Sequence, residues 1–281
     1  MKNIIVLYHG ECADGFGGAW AAWKKFGSKA DYYPIKHDQP MPEGLEGGEL
    51  YFIDIVPQPK EDTKKWAEKA KRLVILDHHV TAETETKMAH EYRYAVEHSG
   101  AGLAWRYFHP DKNVPRLINH IEDADLWRLK LPNTMEVSSY LRLQGFDFKA
   151  WDKVAKALEK AKSRKDIIAK GHLLRSADNK NIAWLVGKAA LVQFEGYEVY
   201  AANSPIWPSE IGHELVKKKG PLAIIWSEKN GLRHVSMRSD GTVDVSKIAA
   251  KHGGGGHKAA AAFSVPFDKE LPWKLIDGLS R

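Results

Sequence analysis

Three short apolar runs, each leading into a histidine or an aspartate, constrain this chain more than any other feature. They are IIVLY at 4–8, LYFIDIV at 50–56 and LVILD at 73–77, and they bring in His9, Asp54 and the trio Asp77, His78 and His79. Continuous runs of branched apolar residues fit strands covered on both faces, as in a parallel sheet. Helical spacing separates them. Ala19, Ala22, Trp23 and Phe26 follow i, i+3, i+4, i+7 and stop at Gly27, and Thr63, Trp66, Ala67 and Ala70 repeat the pattern after Pro59. Strand alternating with helix predicts an α/β layer built on a parallel sheet.

The middle of the chain reads as helical. Ser99 is placed to cap a helix through Leu103, Ala104 and Tyr107. Pro115 opens another to about residue 122, and Trp151, Val154, Ala155 and Leu158 mark a longer amphipathic helix before a charged stretch. The last hundred residues change character. A strand pair is expected at 188–194 and 197–202 across Gly196, then a helix after Pro208. A hairpin at 222–227 and 232–237 turns on Asn230-Gly231, the strongest short hairpin signal. A helix near Asp244, the segment GGGGHKAAAAFSV and a final helix through Leu275, Ile276 and Leu279 complete the pattern. The expected fold class is therefore α/β. A parallel-sheet domain spans 1–146, a helical connector 147–180, and a smaller mixed-sheet α/β domain 181–281.

Composition narrows the function. The net charge of +6 is too mild to demand a polyanionic partner. A single cysteine, Cys12, excludes a disulfide framework and a cysteine-based structural zinc site. No apolar run approaches the roughly 18–20 residues of a membrane span. The first apolar stretch is soon followed by Glu11 and Asp14, unlike a signal peptide. The expectation is a soluble cytoplasmic protein with no membrane partner.

In open parallel sheets, ligands bind beyond the carboxyl ends of the strands. That edge would collect His9, Cys12, Asp14, Asp54, Asp77, His78 and His79. Burying so many unpaired charges is expensive unless a metal or a phosphate compensates them. Mixed imidazole and carboxylate donors suit Mn²⁺, Fe²⁺ or Zn²⁺ better than Ca²⁺ or an all-oxygen Mg²⁺ cage. The set exceeds what one ion with an open position needs. Two divalent ions about 3.5–4 Å apart, manganese the first choice, would use it with one carboxylate bridging. Near the other end, glycines 253–256 either form a flexible linker or bring backbone amides up to a phosphate, with His257 as a further donor. Arg238 is either a solvated surface residue or a fork onto two phosphate oxygens. Asn203 and Ser209 could line the same place. Trp207 reads as packing, and Lys217, Lys218 and Lys219 as a solvated helix end.

These residues carry a resemblance. ILDHHV resembles the signature of the DHH phosphoesterase superfamily, and HGECADG resembles its first motif. Asp54 matches the lone aspartate of the second motif, and IEDADLW resembles the fourth. GGGGHKAAAAF resembles the GGGH motif of the associated C-terminal substrate domain. The nearest branch by pattern is that of nano-RNases and cyclic-nucleotide phosphodiesterases. The resemblance implies that His9 holds one metal, that Asp14, His78 and Asp125 hold a second, and that Asp54 bridges them. Asp77 would be a ligand or the group orienting an imidazole, and His79 would face the substrate phosphate. Asp123 competes with Asp125. Cys12 stands where the family has an aspartate: it either ligates and favours a softer metal, or is a small half-buried thiol that ligates nothing.

The implied activity is metal-dependent hydrolysis of a short oligonucleotide or a cyclic or linear (di)nucleotide in an interdomain cleft. Arg238, Gly254, Gly255, Gly256 and His257 would bind the substrate, and His79, Asp54 and Asp77 would serve the chemistry. Two other readings compete: a phosphoanhydride hydrolase of the pyrophosphatase or exopolyphosphatase type, and a non-catalytic nucleotide-binding protein. The oligomeric state is left open, a dimer included.

Overall fold

A computed structural model describes residues 2–37 and 39–276. The chain divides into two compact units, Met1–Arg175 and Ser176–Arg281.

The first unit carries β1 (Ile4–His9), α1 (Ala13–Phe26), β2 (Ala30–Ile35), β3 (Glu49–Ile53), α2 (Thr63–Lys69), β4 (Arg72–Asp77), the single-turn α3 (Glu83–Thr86) and β5 (Glu91–Tyr94). Then come α4 (Gly100–Phe108), α5 (Arg116–Asp125), α6 (Thr134–Arg142), α7 (Phe148–Glu159) and the long α8 (Ala161–Gly187), inside which the division between the units falls. The strands form a five-stranded sheet in the order β2-β1-β3-β4-β5, with every pairing parallel.

Both faces of this sheet are covered, which is why its central strands read as unbroken apolar runs. Val6, Tyr8, Tyr51, Ile53, Val74 and Leu76 pack on one side with α1, α4, α5 and α7. Ile5, Leu7, Leu50, Phe52, Leu73 and Ile75 pack on the other with Trp66 of α2. Successive residues of one strand thus enter different cores, as the two-residue period of a strand requires. Trp20 and Trp151 are among the largest fully buried side chains, Trp151 as its amphipathic spacing predicted.

β1 lies between β2 and β3, so the chain leaves β1 toward one side and later returns on the other. The helix after β1 packs on one face of the sheet and the helix after β3 on the opposite face. The carboxyl ends of β1 and β3 therefore flank the topological switch point, where open α/β sheets bind ligands.

The second unit holds β6 (Ala190–Phe194), β7 (Tyr197–Asn203), α9 (Pro208–Lys218), β8 (Leu222–Lys229), β9 (Leu232–Ser239), α10 (Val245–Lys251), β10 (Gly255–His257), β11 (Ala260–Pro266) and β12 (Lys274–Leu275). Its sheet runs β10-β11-β9-β8-β7-β6-β12 and is mixed, β7 and β8 being parallel and the other pairs antiparallel. Asn230 and Gly231 both adopt positive φ, 54° and 77°, the backbone that a two-residue hairpin with the strand twist requires. Asp244 caps α10 by accepting from the Ser246 amide at 3.1 Å.

Three elements depart from the sequence expectation. β2 and β5 are sheet edges, too polar to show as apolar runs, and Pro34 is tolerated in β2 because an edge strand can spare an amide. The final helix is not formed at its start. Lys274 and Leu275 pair antiparallel with Gln193 and Val192, closing the exposed edge of β6, and Leu279 lies outside the described residues. No helix of the described residues is long and apolar enough to cross a membrane.

Ile75 is fully buried in the second core of the parallel sheet. Ile75→Ala is expected to destabilise the protein by about 2–5 kcal/mol, the range for truncating a packed aliphatic side chain. Urea unfolding would check this, with an unchanged midpoint counting against that packing.

Candidate metal centre

The carboxyl edge of the parallel sheet gathers the residues that the motifs singled out. His9 ends β1, and Asp54 follows β3 with φ 61°, a left-handed backbone that an aspartate tolerates better than most residues. Asp77 ends β4, and its Oδ1 accepts the backbone amides of His78 and His79 at 2.6 and 2.9 Å. The same oxygen lies 2.7 Å from His79 Nδ1. Asp77 thereby fixes both the turn after the strand and the orientation of the His79 ring.

Asp54 is the shared member. Its Oδ2 stands 3.3 Å from His9 Nδ1, while its Oδ1 stands 3.2 Å from His78 Nε2 and 3.8 Å from His79 Nδ1. His78 Nε2 is in turn 3.7 Å from Asp14 Oδ2 and 3.6 Å from Asp125 Oδ2. Among the described residues of the first unit, three donor groups result, each with its ligand atoms within 4.8 Å of one another: His9, Cys12 and Asp54; Asp14, His78 and Asp125; and Asp54, Asp77 and His79. Of the two aspartates that the fourth motif left open, Asp125 joins this cluster. Asp123 instead takes the Thr134 hydroxyl at 2.6 Å and the amides of Lys130 and Leu131, holding the loop after α5.

Helix α4 supports the centre from below. Ser99 caps it, as expected, accepting from the Gly102 amide. The next two amides go elsewhere: Gly100 N–H donates to Asp14 Oδ2 at 2.6 Å and Ala101 N–H to Oδ1 at 2.9 Å. The free amides and positive pole of a helix N-terminus thus anchor a buried carboxylate. A side chain at Gly100 would meet Asp54 Cβ at 2.6 Å and Asp14 Oδ2 at 2.9 Å. One at Gly15 would meet the His9 carbonyl at 2.3 Å. These glycines let three backbones converge, and the motif reading passed over both.

The electrostatics follow from this crowding. Burial works against the Asp54 charge, but its partnerships with His78 and His9 and the charge of His79 hold it well below the usual carboxylate range. Burial, then the charges of Asp125 and Asp54, push Asp14 well above it. Desolvation raises Asp125 to about 6, with Asp54 assisting and His78 opposing. Burial disfavours a charged His78, yet Asp54, Asp14 and Asp125 raise it to about 10; Asp77 and Asp54 likewise raise His79 to about 9 against burial. Burial and the three carboxylates Asp54, Asp125 and Asp14 raise the Cys12 thiol well above its ordinary value.

The donors fit divalent cations. Asp54 is 2% exposed, and its Oδ1 accepts no aligned hydrogen bond among the described residues. A buried carboxylate oxygen without such a bond, faced by two imidazoles, is what a bridging ligand presents before its ions arrive.

One further residue reaches this edge. His37 follows β2, and its ring centroid lies 5.4 Å from that of His9. The only sequence signal for it was a histidine just past an edge strand that the apolar pattern did not reveal.

In the second unit, Arg238 on β9 donates to Ser209 Oγ at 2.7 Å and to the Met237 carbonyl at 2.8 Å. Asn203 donates to the Trp226 carbonyl, and Trp207 packs with the core around Ile211 and Leu215. The glycine run is a built element rather than a linker. Gly255–His257 pair with Ala260–Ala262, and a side chain at Gly254 would meet the Ala262 carbonyl at 2.1 Å. The Gly254 amide is committed to the Ala249 carbonyl at 2.8 Å, so it is not available to a phosphate.

Comparisons with known proteins agree with this organisation. Uncharacterized protein R106 of Acanthamoeba polyphaga mimivirus is 30% identical over 314 aligned residues, which cover 97% of this chain and 70% of that protein. The DHHA1 domain family matches residues 204–272, which contain Arg238 and the glycine run. The chain belongs to the DHH phosphoesterase superfamily. Two solved structures share the DHH fold at low identity. The DHH domain of a member of a ribosomal-protein family superposes with a TM-score of 0.57 at 14% identity, covering 93% of this chain and 82% of that one. An exopolyphosphatase-related protein from Bacteroides fragilis superposes with a TM-score of 0.53 at 13% identity, covering 95% and 87%. At such identities the likeness is one of fold alone.

Two outcomes are expected from this geometry. Gly100→Ala should weaken Mn²⁺ binding by roughly 10–100-fold, the range seen when a partner that orients a ligand is disturbed. Calorimetry would check this, and unchanged affinity would mean that Asp14 and Asp54 need no such clearance. The second concerns pH. His78, raised to about 10, carries its proton at pH 7, and an ion can take that nitrogen only when the proton leaves. Binding should release protons at pH 7 and tighten as pH rises, and titrations in buffers of different ionisation enthalpy would show it. Uptake without proton release would remove His78 from the ligand set.

Proposed function

We propose that this chain is a metal-dependent phosphodiesterase that hydrolyses short oligonucleotides or cyclic or linear (di)nucleotides. The observation that carries this reading is Asp54. It is one buried carboxylate shared between the His9–Cys12 donors and the Asp77–His79 donors, and its Oδ1 stands 3.2 Å from His78 Nε2 of the Asp14–His78–Asp125 group, as a two-ion centre needs.

In this reading His9 and Asp54 hold a first divalent ion, and Asp54, Asp14, His78 and Asp125 hold a second. Bound ions would supply positive charge to the phosphoryl oxygens and lower the pKa of an attacking water. The chain's own residues do the rest. Asp77 locks the orientation of the His79 ring through Nδ1. His79 keeps its proton at neutral pH, so it can donate to a phosphate oxygen as negative charge builds there. In the second unit we assign the substrate phosphate to Arg238, held by Ser209, and to the run Gly255, Gly256 and His257, with Gly254 packing beneath. Guanidinium forks and glycine-lined amides both suit a terminal phosphate. The DHHA1 match over these residues supports a nucleotide diester over a plain phosphoanhydride.

The test is hydrolysis by metal-stripped protein with Mn²⁺, Mg²⁺ or Zn²⁺ restored. It would receive a linear dinucleotide, cyclic mononucleotides, a short RNA and pyrophosphate side by side. Metal-dependent turnover of a nucleotide diester is expected. Asp54→Asn keeps a residue that tolerates positive φ, and it should lose more than the roughly 100-fold that disturbing an outer partner costs. Turnover of pyrophosphate alone, or near-normal turnover by Asp54→Asn, would overturn the reading.

A further inference from the structure

We propose that Cys12 is a ligand of the first ion and makes that position a thiolate site, selective for thiophilic divalent ions such as Zn²⁺, Fe²⁺ and Co²⁺ over Mn²⁺ and Mg²⁺. The proposal rests on the metal-centre reading above and names the class of ion it takes.

The argument begins with the donors available. Asp14, His78 and Asp125 form a group of their own around His78 Nε2. Asp14 is further held on that side by two amides of α4. What remains beside His9 is Asp54 and Cys12, whose donor atoms lie within 4.8 Å of each other and of the His9 nitrogen. Without the sulfur, the first position has one imidazole and one shared carboxylate. That is one fewer than the three protein ligands that catalytic sites with an open position use. With the sulfur it has three.

The shared carboxylate points the same way. Asp54 is buried, its Oδ2 lies 3.3 Å from His9 Nδ1, and its Oδ1, toward His78 and His79, accepts no aligned hydrogen bond among the described residues, so it stands between the two donor sets as a ligand shared by two cations would. Cys12 is also held in place. It is the residue immediately before α1, with extended φ and ψ of −120° and 136°, and its carbonyl accepts the Phe16 amide at 3.1 Å. The link from His9 is only Gly10 and Glu11, so strand end and helix start fix both donors.

The chemistry of the donor then decides the ion. Thiolate is a soft ligand that selects zinc and iron, whereas carboxylate and water suit manganese and magnesium. In coordination the sulfur–hydrogen bond is replaced by a sulfur–metal bond, and the proton leaves to solvent.

The test uses the full chain and Co²⁺, whose spectrum reports its ligands. Cys12 is the only cysteine of the sequence, so a near-ultraviolet sulfur-to-cobalt charge-transfer band has one source. The expected result is such a band in the wild type, together with visible bands of bound cobalt. Cys12→Ser should keep the visible bands and lose the charge-transfer band. Cobalt bound to the wild type without that band would overturn the role of Cys12 alone. No bound cobalt at all would overturn the metal centre beneath it as well. In competition experiments, Cys12→Asp should shift the ratio of Zn²⁺ to Mn²⁺ affinity toward manganese by roughly 10–100-fold, the scale on which changes at a metal site act. An unchanged ratio would also overturn the selectivity.

Discussion

Asp54 carries a negative charge almost out of reach of water, and the first unit is organised around the cost of keeping it there. Burial alone would protonate it, yet imidazoles on two sides hold it ionised. Those imidazoles come from the ends of different strands, so their approach depends on the register of β1, β3 and β4. The neighbouring carboxylate, Asp14, shows the opposite outcome. Burial and the charges of Asp125 and Asp54 outweigh the amides of α4, His78 and Ser99, which work in the other direction. Two buried aspartates a few ångströms apart are thus pushed in opposite directions, the arrangement expected where a cation is shared.

Much of this was legible in the sequence because the physics that shapes it is local. Central parallel strands must be apolar on both faces, and so they stand out as runs. Asn230-Gly231 specifies its turn through backbone conformation alone. Ser99 and Asp244 announce their helices through caps. The motif residues His9, Asp14, Asp54, Asp77, His78, His79 and Asp125 could be grouped because each lies at or just beside one end of a strand or helix. What could not be read depends on contacts across the fold. The choice of Asp125 over Asp123 turns on which carboxylate the Thr134 loop claims. Gly100 matters only because Asp54 and Asp14 lie against it. His37 was hidden with its strand, since β2 is an edge whose alternation of polar and aromatic residues carries little signal.

The second unit shows the same division. Its hairpins follow from turn chemistry, while the role of the glycine run follows from packing. Gly254 and Gly256 have no room for a side chain beside β11. The small residues Ala260, Ala261 and Ala262 opposite them carry the same requirement on the partner strand. A sequence that looks like a flexible tether is therefore a closely packed strand pair.

The order of the ligands along the chain has one more consequence. His9 belongs to the first strand of its unit and Asp125 to the end of α5, with the rest of the parallel sheet threaded between them. An ion bridged through Asp54 to both would join the two ends of that stretch, and the unfolded chain offers no comparable arrangement. Occupancy would then stabilise the native state by mass action, about 2.7 kcal/mol at a concentration a hundred times the dissociation constant. In that sense the centre acts as a clasp on the fold that presents it, and the stability of the protein becomes a readout of the ions around it.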